Sequence, residues 1–263
     1  MLNVLQTQLY RLKKSKLFWA LFIEGVYDLM GNILDSEAAG MLDAMREEGG
    51  ALTLSSLGKQ ISLGSDAMLF SIICSSIFLS GEFSGGAIRN MILANKSRTQ
   101  IFLSFLSVSL IIGFSYLGVS YASTLLCYGA LIGFGGVTVN QVFSGCFSTL
   151  FLALITVALA QSCVCLFLFF TRKTGPTVAF PIVLVIFAPS LISTIVDLVI
   201  GLKMLTGQEI PIQNMGWIPL YNMNLFDAAN IDGGLVGKIA LYNIPLAALL
   251  ATLGWVASKK DMK

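Results

Sequence analysis

The chain has 263 residues, of which 56% are hydrophobic and 11% charged, whereas ordinary soluble domains carry about 25% charged residues. With a net charge of only +2, this composition excludes an ordinary soluble domain and leads to the expectation of an all-α, polytopic membrane protein. The complete absence of histidine also excludes Ser-His catalysis, His-ligated metals and imidazole proton relays.

Residues 1–16 place Leu2, Leu5, Leu9 and Leu12 at spacings of three, four and three, with Arg11, Lys13, Lys14 and Lys16 at the end. This predicts an amphipathic helix lying on the inner membrane surface; a frayed basic tail is the plainer alternative. The apolar run that follows lacks a small-residue cleavage site and carries two acids, so it reads as a retained span, 17–34, rather than a signal peptide.

Those acids are Glu24 and Asp28, four residues apart and so on one helix face. Counted from residue 17 at ~1.5 Å per residue, they sit ~10 and ~16 Å into a core of ~30 Å. An ionised acid near the middle costs on the order of 3 kcal/mol. No Lys or Arg lies deep in any predicted span. The pair must be protonated, hydrated in a cavity, or turned toward a cationic guest. One reading puts both on a translocation route; the other has a distorted span deliver them to water or to a backbone partner.

Residues 35–66 hold Asp35, Glu37, Asp43, Glu47, Glu48 and Asp66 and read as an outer loop. Ser36 can cap a short helix there and Gly49-Gly50 can end it. A second span is expected at 63–80.

Next comes a polar island, residues 82–98, between two apolar runs. On a helix Ile88, Met91 and Ile92 share a face that Phe83 can join, while Arg89, Asn90 and Lys96 lie off it. Gly85-Gly86 permits a tight turn out of the second span, and Asn95 tolerates the left-handed conformation that ends a helix. The segment therefore reads as span, turn, amphipathic helix, stop, span: a handle that would move both flanking spans when pushed.

Glu82–Arg98 reads E-F-S-G-G-A-I-R-N-M-I-L-A-N-K-S-R. It resembles the E-F-x-x-G-T-I-R/K-N-x-L-x-x-G-x-S-R pattern of the ABC-2 type permeases, the six-span membrane subunits of bacterial ABC exporters. Glu82, Phe83, Gly86, Ile88, Arg89, Asn90, Ser97 and Arg98 match in register. Ala87, Ile92 and Asn95 stand where the family has threonine, leucine and glycine, and Ala87 removes a hydroxyl that could cap the helix. The resemblance implies a coupling helix that docks on a separate ATPase, with Glu82, Phe83, Gly86, Ile88, Arg89, Met91, Ile92 and Arg98 as coupling residues. It also implies ATP and Mg in that ATPase rather than in this chain, a second permease chain, identical or related, and no nucleic acid. The cargo classes it implies are antimicrobial and other amphipathic peptides, drugs and ions. No G-x-x-x-x-G-K-S/T phosphate loop occurs in the chain, so Ser84-Gly85-Gly86 reads as a turn and ATP hydrolysis falls to a partner.

Further spans are expected at 100–121, 148–170, 177–200 and 235–257. The uncharged stretch 122–139 competes as a seventh. With six spans, twelve basic residues fall on the inner side (Arg11, Lys13, Lys14, Lys16, Arg89, Lys96, Arg98, Arg172, Lys173, Lys259, Lys260, Lys263) and four on the outer side (Arg46, Lys59, Lys203, Lys238). With seven, the division falls to nine against seven. The positive-inside rule selects six spans with both termini cytoplasmic, leaving 122–139 as an apolar outer loop or re-entrant segment. Its Gly129, Gly133, Gly135 and Gly136 would suit close backbone packing.

Of the five cysteines, most lie in apolar runs. Cys163 and Cys165, two apart, point to different sides of a helix and make a poor chelate; buried free thiols are expected, with a Cys127–Cys146 disulfide as the alternative if both face the outside. In the fifth span Pro181 and Pro189 can kink the helix and free carbonyls, and Asp197 falls at the outer interface within reach of Lys203. Residues 204–234, with Trp217, Tyr221 and Phe226, read as an aromatic outer loop or a lid. In the sixth span Lys238 can snorkel outward, alongside Asn243 and Pro245.

The resemblance implies a permease in a bacterial plasma membrane, an exporter driven by an ATPase in trans, and the two acids of the first span turn the expected cargo toward an amphipathic or cationic substrate. An ATP-independent channel or secondary transporter is the alternative, and it leaves the 82–98 pattern unexplained. An intramembrane protease lacks its histidine, and Asp28 and Asp197 fall at different depths for an aspartyl pair.

Overall fold

The computed structural model describes residues 2–20, 23, 26, 65–94, 96–131, 139–188, 191, 194, 195, 198 and 233–260. Among these the regular structure is entirely helical. The helices whose bounds lie among the described residues include α1 (Leu2–Lys14), α2 (Ser65–Ser84), α3 (Ala87–Leu93), α4 (Arg98–Leu131), α5 (Val139–Thr171), α6 (Thr174–Ile182) and α7 (Gly233–Lys260). Past Ile182, α6 widens into a π-type turn over Val183–Phe187.

Among the described residues, three segments are long and apolar enough to cross a membrane: Arg98–Ser123, Leu150–Thr171 and Ile239–Lys259. Two further apolar helices, Leu69–Ser84 and Thr174–Phe187, are shorter. The chain is thus a helical membrane protein. The predicted spans at 148–170 and 235–257 fall within α5 and α7, and residues 65–80 of the predicted second span lie in α2. Most of the predicted first span, with Glu24 and Asp28, lies outside the described residues. So do residues 35–64 and 204–232 of the two outer loops.

The third span departs from expectation. Residues 122–131 do not leave the helix at Tyr121 but continue α4 to Leu131, and α5 begins at Val139, nine residues before the expected 148. Residues 122–131 carry no proline and no charge, so nothing in them breaks the helix. At ~1.5 Å per residue α4 is ~50 Å long, which exceeds a ~30 Å hydrocarbon core.

Packing fixes the helix directions. The Phe83 ring at the end of α2 meets Phe105 near the start of α4 and Phe169 near the end of α5. Arg98 at the start of α4 bonds the Lys259 carbonyl at the end of α7. So α2, α5 and α7 arrive at one end of the bundle while α4 and α6 leave it. A separate membrane crossing by 122–139 would have put Phe169 at the opposite end.

Much of the core lies between α2, α4 and α5, around Ile72, Leu79, Phe105, Ile112, Leu117, Val164 and Leu168, all essentially inaccessible. Apolar side chains gain little from packing together when the alternative is lipid, so polar pairs and close fit matter more. Most buried hydroxyls satisfy themselves on carbonyls one turn back: Ser75 on Ser71, Ser104 on Ile101, Thr156 on Leu152. Gln161 cannot. Its amide donates to Ser71 Oγ at 2.7 Å and accepts from Ser109 Oγ at 2.6 Å, joining α2, α5 and α4. Gly113 makes room for this: a Cβ there would lie 2.5 Å from Val157 Cγ1 and 3.1 Å from Gln161 Nε2.

Proline placement explains another contact. Pro181 has no N–H to donate to the Thr177 carbonyl one turn back. The Ser76 hydroxyl of α2 donates to that carbonyl instead, at 3.0 Å, in a fully buried site. The sequence anticipated a freed carbonyl but not its partner.

Candidate functional handle

The turn between α2 and α3 is built by local chemistry. Gly85 N–H bonds the Gly81 carbonyl at 2.8 Å, closing α2. Gly86 then takes φ 73°, ψ 8°, the left-handed region that costs other L-residues roughly 1–2 kcal/mol. From there α3 starts: Asn90 N–H bonds the Gly86 carbonyl at 3.1 Å. No side chain caps it, in keeping with alanine at position 87. It ends where Ala94 N–H bonds the Asn90 carbonyl and Lys96 N–H reaches back to Met91 at 3.2 Å, a six-residue closure that satisfies a terminal carbonyl. Asn95 lies outside the described residues. Ser97 then caps α4: its Oγ accepts the Gln100 N–H at 3.3 Å.

The handle is rooted in the bundle by aromatic rings. Phe83 sits 5.5 Å from Phe105 and 5.2 Å from Phe169, edge to face, and Phe102 and Phe105 sit 5.3 and 5.7 Å from Phe169. Such pairs contribute ~0.5–1.5 kcal/mol each beyond buried area. Ile88 is buried and Met91 half-buried against the same core. Ile92, grouped with them by sequence, is 41% exposed. Only Ile88 and Met91 turn inward, one turn apart at i and i+3. Ile92 joins Leu93, 77% exposed, and the exposed Arg89 and Asn90 on the outer side.

Both ends of the handle touch the chain termini. Glu82 accepts from Arg11 of α1, Nη1 to Oε2 2.7 Å. Helix α1 lies against α4, with Val4, Gln8 and Leu12 buried and Leu5 and Leu9 half-buried. The stripe that the sequence turns toward the membrane surface is therefore covered in part by protein. At the other end Arg98 bonds the Lys259 carbonyl, Trp255 Nε1–H donates to Thr99 Oγ1 at 3.2 Å, and the Lys259 ammonium stacks 3.5 Å above the Trp255 ring. Sequence reasoning missed Arg11, Thr99, Trp255 and Lys259 as partners, because separations of 71 and 156 to 161 residues leave no periodic signal.

The described residues that the resemblance assigns to coupling thus cluster at one end of the bundle, with Phe83, Ile88 and Met91 turned in and Arg89 and Ile92 turned out. That end also carries Arg11, Lys13, Lys14, Lys96, Arg172 and Lys173. The arrangement holds a short helix between α2 and α4, so a force on α3 passes to both. A family model described as "ABC-2 family transporter protein" matches residues 4–190, which takes in α2 to α6 and all but the first two residues of α1. No curated protein matches the chain.

Proposed function

The chain belongs to the ABC-2 family of transporter proteins, and from that premise we propose that it is the permease of an exporter whose ATP hydrolysis resides in a separate ATP-binding cassette subunit. The observation carrying this reading is the outward side of α3. Ile92 and Leu93 are exposed beside Arg89 and Asn90 on a helix whose other side is fixed by the phenylalanine cluster. Exposed apolar groups rimmed by polar ones are what a protein-docking surface requires. On this proposal the handle end of the bundle is cytoplasmic, as the basic residues there favour. ATP and Mg act in the partner, and pushing on α3 tilts α2 and α4 as a pair.

The cargo proposed is a cationic or amphipathic substrate such as a peptide, carried between this chain and a second permease copy or relative across a bacterial plasma membrane. Glu24 and Asp28 support it, as acids one turn apart in an apolar run with no deep basic partner in any predicted span. The alternative, ATP-independent transport, gains no support from a fixed helix with an outward apolar face.

The test is co-purification of the full-length chain with the ATP-binding cassette subunit of the same transporter. Ile92→Glu with Leu93→Glu is expected to reduce the retained ATPase at least about tenfold, since it places two charges in a desolvated contact. The chain itself should keep its elution profile, because both positions are exposed. Full retention of the ATPase by this variant overturns the docking assignment.

A further inference from the structure

We propose that Arg11 is a positioning residue for coupling: it engages Glu82 inside the chain, so that the N-terminal helix, and not the ATPase, holds the acid that opens the handle. The inference rests on the coupling reading above, and it reassigns Glu82 from a docking contact to an internal brace.

Three observations carry it. The Glu82 side chain is 12% exposed against 46% for Arg11, and the two meet at 2.7 Å. A charge-assisted bond with a mostly covered carboxylate is screened less than a surface pair. Arg11 sits on a fixed support, since its neighbour Leu12 is 3% exposed and Val4 6%, with α1 lying along α4. Next to Glu82, the Phe83 ring is locked among Phe105 and Phe169, so the acid cannot swing outward without leaving that register. The outward side of α3 then consists of Arg89, Asn90, Ile92 and Leu93, with the motif acid turned away from it.

The consequence is mechanical. With Glu82 tied to α1 and Arg98 to the end of α7, a load on α3 reaches the helices at both ends of the chain as well as α2 and α4. Losing Arg11 would leave α3 in place through Ile88 and Phe83 but would let its entry turn open more often.

Two readouts on the full-length protein test this. Hydrogen exchange of the 87–96 amides, in lipid nanodiscs without any partner, reports opening of α3. ATP turnover per assembled complex, with subunit stoichiometry measured alongside, reports coupling. Arg11→Glu and Glu82→Arg are each expected to speed exchange of these amides about three- to tenfold and to slow turnover at unchanged stoichiometry. The exchanged pair, R11E with E82R, should restore both readouts, and Arg11→Lys should keep most of each. If Arg11→Glu does not accumulate, Arg11→Gln carries the same expectation. Unchanged exchange in both single variants overturns the proposal. So does loss of ATPase from Glu82→Arg that the exchanged pair fails to restore, which would make Glu82 a docking residue and leave the coupling reading standing. If no ATPase joins even the unaltered chain, the coupling reading fails, and the exchange measurement alone still decides whether Arg11 braces Glu82.

Discussion

Replacing Ser76 by alanine should destabilise the bundle through one carbonyl group. Pro181 withholds the N–H that would normally reach the Thr177 carbonyl, and Thr177 is fully buried, so water cannot substitute. The Ser76 hydroxyl at 3.0 Å fills the gap. Without it the carbonyl loses that donor, at an expected cost of ~1–2 kcal/mol. In a Pro181→Ala background the residue-181 N–H returns to the Thr177 carbonyl, and Ser76→Ala should then cost under ~0.5 kcal/mol. The difference, about 1 kcal/mol, is a roughly fivefold change in the unfolding equilibrium, and it is a coupling free energy that does not depend on what Pro181→Ala does alone. Reversible unfolding of the four proteins by SDS titration in mixed micelles measures it. Costs for Ser76→Ala that agree within ~0.3 kcal/mol in the two backgrounds would refute the assignment of the Ser76 bond to the proline gap.

Other expectations follow from close contacts and backbone geometry. Gly113→Ala puts a methyl 2.5 Å from the stiff Val157 side chain and 3.1 Å from Gln161, so it should lower stability by ~1–3 kcal/mol. Gly118→Ala, with nothing within 4 Å, should be neutral or stabilising by up to ~1 kcal/mol, and equal melting shifts for the two would contradict the packing account. Gly86→Ala forces a side chain into φ 73° and should cost ~1–2 kcal/mol at the handle. Gly86→Asn should be milder, and faster exchange of the α3 amides in the alanine variant than in the asparagine variant is the check. Glu24→Gln and Asp28→Asn should each reduce transport of a cationic peptide into inverted vesicles; wild-type rates in both would remove these acids from the cargo route.

Local rules made several features legible in advance. The recurrence of leucine in residues 2–12, the apolar runs, and Gly85-Gly86 between them each act over a few residues, and helix α1, helix α2 and the tight turn at Gly86 lie in those stretches. The division of basic residues favoured an end to α4 and a return by α5 without an extra crossing, and the Phe83–Phe169 contact agrees. Hydropathy could not say where α4 stops, because residues 122–131 satisfy helix and apolar loop equally until neighbouring segments pack.

What composition and motif determined by themselves is a helical membrane protein of the ABC-2 family with a polar handle between two apolar segments, since hydrophobic transfer and backbone geometry are properties of short stretches. The folded arrangement alone decided which side of that handle faces in, that Arg11 meets Glu82 and that Trp255 meets Thr99. It also decided that Ser76 answers the carbonyl Pro181 leaves open. The last three contacts join residues 71 to 156 positions apart, and an ion pair or hydrogen bond at a few ångströms depends on where whole helices come to rest.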